Sequence, residues 1–231
     1  MMTQTQNIEF SKETRTQEKV GHPQAGIISG LTELFRDPDY FRLIRQEIIP
    51  YLETFSHPKI WHVGCSTGEE VFSMAILLQE AALLNKTDIL ATDTYQHRLI
   101  QAKNGRLSKR MLEQYQSNFR ESGAKGKFED YFNKSAGYLE LNESILPKLN
   151  FFRHDILQGA SPNTFSCIFC RNVLFYYPPE KQVQILEKLL DSLSPMGFLV
   201  LGRVEDLRFS PLKKHLRILR KGYSIYQKTS F

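Results

Sequence analysis

The chain has 231 residues, 41% of them hydrophobic and 24% charged, with a formal net charge of +5. That length and balance suit one globular domain, or one domain with a small inserted lobe, able to bury its core without disulfides. Cys65, Cys167 and Cys170 are odd in number and irregular in spacing, which argues against a disulfide framework. The polar N-terminus and the lack of a long apolar run exclude a secretory leader and a membrane span from the expectation and point to a cytoplasmic chain.

Residues 1–25 are rich in Thr, Gln, Lys and Glu and lack apolar periodicity, so they read as a flexible polar tail. The domain is expected over residues 26–231, with order starting near Ile27. In FRDPDYFRLIRQEIIPYLETF, Tyr40, Phe41, Ile44, Ile48 and Ile49 share one helical face, and Pro50 and Pro58 punctuate its end. Alternation follows. KIWHVG reads as a strand, EEVFSMAILLQEAALL as a helix, DILATD as a second strand and TYQHRLIQAK as a second helix. Later come strands at LNFFRHD and FSCIFCRNV, a helix at PEKQVQILEKLLDSL and a strand at MGFLVLG. HLRILRKGYSIYQK reads as a hairpin turning at Lys221-Gly222. Such alternation predicts a parallel sheet covered on both faces, with the hairpin adding an antiparallel strand. Cys167 and Cys170 fall in one of these strands, where i and i+3 face opposite ways, so a shared metal or redox site is not expected.

Residues 105–148 separate two core strands by far more chain than one crossover needs. SKRMLEQYQSNF reads as a helix and KSAGYLELNES as a short β-ribbon, which makes this stretch an inserted lobe. Between Arg98 and Arg153 there are eleven basic and six acidic residues, which accounts for the whole net charge of +5. Such a segment suits an acidic protein surface, nucleic acid or anionic lipid, or is a solvated face.

HVGCSTGEEVFS, residues 62–73, places a glycine turn between the first strand and its helix, a general cofactor position. A phosphate loop needs Lys and Ser/Thr after its last glycine, and here two acids follow Gly68. A dinucleotide loop needs a middle glycine that is absent. Two readings remain. One is a helix start, with Ser66 or Thr67 as the cap and Glu69 and Glu70 at the positive end of the dipole. The other is S-adenosylmethionine, which carries a sulfonium and a ribose diol but no phosphate, tolerates a loop acid, and wants a strand-end carboxylate such as Asp93.

WHVGCSTGEEVFSMAILL resembles the W-x-x-G-C-S-T-G-E-E-x-Y-S-x-A segment of the chemotaxis receptor methyltransferases, the CheR family. LTELFRDPDYF, ILATD, IFCRNVLFYY and LSPMGFLVLGRVE resemble that family's other motifs, in the same order, so the likeness runs from about Leu31 to the C-terminus. It implies a Rossmann-like class I methyltransferase fold: a mostly parallel seven-stranded sheet with a C-terminal antiparallel hairpin, and a small inserted β-containing lobe. It implies S-adenosyl-L-methionine as cofactor, S-adenosyl-L-homocysteine as product, and methyl esterification of glutamates on acidic cytoplasmic helices of a chemoreceptor by a monomeric enzyme.

Carried over position by position, the resemblance assigns Thr32, Arg36, Gly64, Glu70, Asp93, Asp155, Ile156, Asn172 and Val173 to the cofactor, and Arg36 and Tyr176 to catalysis. Of the paired acids, Glu70 is the one expected to touch the cofactor, while Glu69 faces the helix dipole. Competing bland readings pair Arg36 with Asp37 or Asp39, make Tyr176 a core aromatic, and leave Arg171 to brace the sheet. Gly30 and Asp155 stand where the family has Asn, Ser166 replaces an Asp, the helical N-terminal domain of full-length relatives is reduced to a short tail, and the loop Asn133 to Gly137 is shorter than the glycine-rich versions that bind a receptor peptide. These departures would also suit a cofactor-binding module. Tyr177-Pro-Pro-Glu180 lacks the Asn or Asp of the amine-methylating [DN]-P-P-[YF] motif, so nucleic acid is not the expected substrate; Pro179 suits the first turn of a helix.

Overall fold

A computed structural model describes residues 32–135, 137–159, 163–207 and 210–229. The polar tail over residues 1–25, the onset of order near Ile27, and Gly30 lie outside the described residues.

The first helix runs further than its prolines suggest. Helix α1 (Pro38–Leu43) passes through a π-helical turn (Ile44–Ile48) into α2 (Ile49–Glu53). Pro50 has no N–H to donate, and the wider turn before it absorbs that loss without ending the helix. Strand β1 (Lys59–Val63), helix α3 (Glu69–Glu80), strand β2 (Asp88–Asp93) and helix α4 (Gln96–Lys103) then alternate. Helix α3 is shorter than its apolar run. Ala82 turns left-handed at φ 57°, the Leu83 amide donates back to Leu78 O at 2.7 Å, and the Ala82 amide donates to Gln79 O at 3.0 Å. This is a Schellman stop built on alanine where glycine is usual.

The next stretch holds β3 (Arg106–Ser108), α5 (Leu112–Glu121), β4 (Phe132–Lys134) and β5 (Tyr138–Leu141). The chain continues with β6 (Leu149–Arg153), β7 (Phe165–Cys170), α6 (Pro179–Asp191), β8 (Leu193–Leu201), β9 (Leu216–Ile218) and β10 (Ile225–Lys228).

The seven-stranded sheet has the order β6-β2-β1-β7-β8-β10-β9. Its first five strands are mutually parallel. Strand β10 is antiparallel to both neighbours and sits between β8 and β9. The expected mostly parallel sheet with a C-terminal antiparallel hairpin is therefore present. A separate antiparallel sheet, β3-β5-β4, forms the lobe. Strand β3, with only three residues, carries no periodicity to read and was not expected from the sequence.

The sheet is covered on both faces. Ile60, Ala91, Phe151, Cys167 and Phe169 pack with the α1–α3 side and the lobe. Trp61, Val63, Ile168, Cys170 and Leu199 pack against Ile185 and Leu189 of α6. Cys167 and Cys170 thus point into opposite layers, as the period-2 alternation requires. The lobe is tied down by the end of α3. Glu80 Oε1 accepts the amides of Lys125 (2.8 Å) and Gly126 (3.0 Å) and the Tyr131 hydroxyl (2.9 Å), and Glu80 also pairs with Arg45.

Candidate active site

Strand order reverses between β1 and β7, and ligands of open α/β sheets bind outside the carboxyl ends of the strands at that point. The turn after β1 lies there. Gly64 is left-handed at φ 68°, and a Cβ on it would come 2.6 Å from Val173 Cγ2 in the turn after β7. Gly68, at φ 98°, is the N-cap of α3 and has no side chain to cap with. The expectation of Ser66 or Thr67 as cap is therefore corrected: the Thr67 hydroxyl donates to Glu69 Oε2 at 2.7 Å. Ser66 takes φ 50°, and its amide donates to Asp93 Oδ2 at 2.9 Å. Its hydroxyl is buried with no hydrogen-bond partner.

Asp93 ends β2 and is 5% exposed. Its other oxygen, Oδ1, accepts the Tyr95 amide at 2.9 Å. Each oxygen so far takes one donor, and a carboxylate can accept about four. Asp155 and Ile156 follow the neighbouring β6, whose next residue, His154, donates its amide to Asp93 O at 3.1 Å. Asp155 Oδ1 accepts the Leu157 amide at 2.9 Å, and Ile156 is buried in the α6 layer. Half-buried Tyr177 belongs to the same edge. Burial raises its pKa, and the charges of Asp155 and Asp93 add to the rise.

The two acids of α3 separate in an unexpected way. Glu70 Oε1 accepts from His62 Nδ1 at 2.9 Å, and Oε2 accepts from Arg171 Nη1 at 3.2 Å. Burial alone would raise the Glu70 pKa, but the His62 hydrogen bond and the Arg171 charge outweigh it and hold it below the usual range. Both Glu70 oxygens thus have partners inside the protein. Glu69 is buried, and burial pushes its pKa up to about 7 against the Thr67 hydrogen bond. It does more than face a dipole.

Arg171 continues the ladder. It donates to Asp37 Oδ2 at 2.5 Å and to Arg36 O at 3.2 Å. Arg203 donates to the other Asp37 oxygen at 3.2 Å and to Asp39 Oδ1 at 2.6 Å. Asp37 and Asp39 are thereby held by Arg171 and Arg203. Arg36 sits between two left-handed residues, Phe35 (φ 51°) and Asp37 (φ 56°). The Phe35 amide donates to Ser73 Oγ on α3 at 2.8 Å, and its ring packs edge-on against Phe41 and Phe119. Thr32, half-buried, opens the described chain on the same segment.

Asn172 and Val173 follow β7, with Asn172 left-handed at φ 58°. A 3₁₀ turn, Leu174–Tyr176, comes next. Tyr176 is 36% exposed, which removes the core-aromatic reading. Arg171 bridges the two catalytic candidates, since it follows β7 just before the turn of Tyr176 and holds the carbonyl of Arg36. The sequence reading gave His62 and Glu205 no role, took Ser66 only as a possible helix cap and left Arg171 to brace the sheet. For Glu205 a signal existed: it is the final acid of LGRVE.

The family model for the CheR methyltransferase SAM binding domain matches residues 30–221. The chain belongs to the CheR methyltransferase family. It is 39% identical over 199 residues to the Cher3 protein of Pseudomonas putida, covering 83% of this chain and 73% of that one. It is 31% identical to a chemotaxis protein methyltransferase of Listeria innocua, over 78% of this chain and 67% of that one. It is 30% identical to chemotaxis protein methyltransferase 1 of Vibrio cholerae, over 75% of this chain and 63% of that one. The fold is therefore that of the class I methyltransferases, and S-adenosylmethionine is the cofactor. The edge fits that cofactor. The lack of a side chain at Gly64 and Gly68 lets Val173 and Phe72 pack directly against the backbone of the turn, the Ser66 hydroxyl is buried without a partner, and Asp93 keeps acceptor capacity for a ribose diol. No helix among the described residues is long and apolar enough to cross a membrane.

Proposed function

We propose that this chain transfers a methyl group from S-adenosylmethionine to glutamate side chains of a chemoreceptor-like protein, forming methyl esters. One observation carries the reading: Arg171 couples the loop of Arg36 to the strand whose turn bears Tyr176, so a cation and an exposed tyrosine belong to one braced assembly at the cofactor edge. The names of the Listeria and Vibrio relatives support a chemotaxis substrate.

In this reading Asp93 holds the ribose, Asp155 and Ile156 flank the adenine, and Thr32, Gly64, Asn172 and Val173 complete the cofactor site. Glu70 serves it through Arg171 as much as by contact. When bound, the cofactor supplies a methyl group on a sulfonium centre. The acceptor glutamate is ionised at neutral pH, so no general base is needed. Its oxygen bonds to the methyl carbon as the carbon–sulfur bond breaks, and the electron pair stays on sulfur. Arg36 and Tyr176 hold the acceptor carboxylate in line, which is where proximity contributes most. The basic lobe, inserted over about residues 105–148, faces the acidic methylation helices.

The test is incubation with radiolabelled S-adenosylmethionine and a receptor cytoplasmic fragment. Label that is released from the fragment by base, as an ester should be, is the expected result. Tight cofactor binding without label would replace this reading with that of a cofactor-binding module.

A further inference from the structure

We propose that Glu205 is a positioning residue for the cofactor site, its carboxylate fixing the backbone of residues 172–174 so that Val173 lies across Gly64. The proposal rests on the reading of this edge as the cofactor site.

Glu205 lies in the loop after β8 and is 5% exposed. Its Oε1 accepts the amides of Val173 and Leu174, and its Oε2 those of Asn172 and Gly202, each at 2.8 Å. One carboxylate thus gathers four backbone donors from two strand ends. Three of them come from consecutive residues, with Asn172 left-handed at φ 58° and Val173 right-handed at φ −117° and ψ −44°. Successive amides in such alternating conformations form a concave nest that attracts anions. Here the protein fills the nest with its own carboxylate, so a phosphate or acceptor carboxylate has no place there.

The arrangement is not local chance. Left-handed backbone at a non-glycine residue is costly and persists where the surroundings hold it. Glu205 supplies that hold. A Cβ on Gly202 would come 2.7 Å from Glu205 Oε2 and 2.9 Å from Asn172 N, so glycine is what lets the two loops approach. The loop is itself anchored at both flanks: Arg203 pairs with Asp37 and Asp39, and the buried Leu207 takes the Tyr226 hydroxyl as its amide's acceptor at 3.2 Å. From this frame Glu205 sets Val173, and Val173 in turn packs over Gly64 at the mouth of the first turn. Glu205 acts through Asn172 and Val173.

Calorimetric titration of the full chain with S-adenosylhomocysteine tests this, with thermal melts alongside. Glu205→Gln keeps the shape but offers one acceptor oxygen and turns an NH₂ toward amide donors. Its dissociation constant should rise at least tenfold. Glu205→Asp keeps the charge one methylene short and should weaken binding by less, but by more than twofold. Glu80→Gln is the control, since Glu80 is also a buried carboxylate bonded to two backbone amides but sits at the lobe. It should lower the melting temperature and leave affinity within twofold. Binding within twofold of wild type in Glu205→Gln, or in Glu205→Asp if the first does not fold, overturns the proposal. So does an equal affinity loss in Glu80→Gln at an equal melting shift, which would mean general loosening. Failure of the wild type to bind would overturn the cofactor reading itself, and this proposal with it.

Discussion

Tyr176 is exposed at the end of a short turn whose first amide, that of Leu174, is held by Glu205 and which Arg171 precedes in the chain. A hydrogen bond to a charged partner contributes about 1.5–3 kcal/mol, so Tyr176→Phe should slow methyl transfer by roughly ten- to a hundredfold. Affinity for S-adenosylhomocysteine should not change. Single-turnover rates beside a calorimetric titration separate the two, and undiminished transfer removes the role. Glu69 gives a pH prediction. Its folded pKa of about 7 lies above the unfolded value of 4.5, so the folded state holds the extra proton between them, and stability falls as pH rises through that window. The penalty is complete above pH 7 and absent at low pH. Glu69→Gln removes it, so the variant should gain roughly 2–3 kcal/mol on wild type between about pH 5 and pH 8. Urea melts at both values measure this; a constant difference would place the carboxyl in water. At this scale the glycine turn at Gly64 and the strand end at Asp93 were legible because backbone sterics and strand position restrict such places. The partners of Glu70 were not legible, since His62 and Arg171 meet it only after β1, α3 and β7 have packed.

The elements were legible where a short apolar run marked a buried strand, as in β7, or where a period of 3.6 ran long enough, as in α6. They were misread where a local exception decided the end. Pro50 sits inside a helix because a π-helical turn takes up its missing donor, and α3 stops at Glu80 because Ala82 adopts a conformation that alanine seldom takes. The same stop turns Glu80 toward the lobe, where one carboxylate serves Lys125, Gly126, Tyr131 and Arg45. Removing one partner of a buried charge pair typically costs 3–5 kcal/mol. Glu80→Ala should therefore destabilise the protein by about 3 kcal/mol and release residues 125–131 to faster amide exchange, while the sheet exchanges as before. Uniform acceleration over the whole chain would instead make Glu80 a part of the global core.

At the scale of the whole molecule, alternation and one long interruption were enough to anticipate the sheet and its insertion, because right-handed crossovers leave few ways to connect parallel strands. The position of β10 between β8 and β9 follows from pairing, which a hairpin signal alone does not specify. Charge distribution sets the last expectation. The excess of +5 lies between Arg98 and Arg153, a stretch that includes the lobe, and Lys103, Lys109 and Arg110 there are exposed. Attraction between exposed charges is screened over about 8–10 Å at ordinary salt and acts on encounter more than on the steps that follow. An acidic receptor helix should therefore be captured less well as salt rises. Raising ionic strength from about 0.05 to 0.3 M should increase the KM for a receptor fragment several-fold and leave kcat and cofactor affinity near their starting values. Lys109→Glu with Arg110→Glu should reproduce that change at low salt and flatten the salt dependence. A KM that ignores salt, or a double variant that lowers kcat while sparing KM, would mean that these charges are a solvated face and that the acceptor is chosen at the cleft by Arg36 and Tyr176 alone.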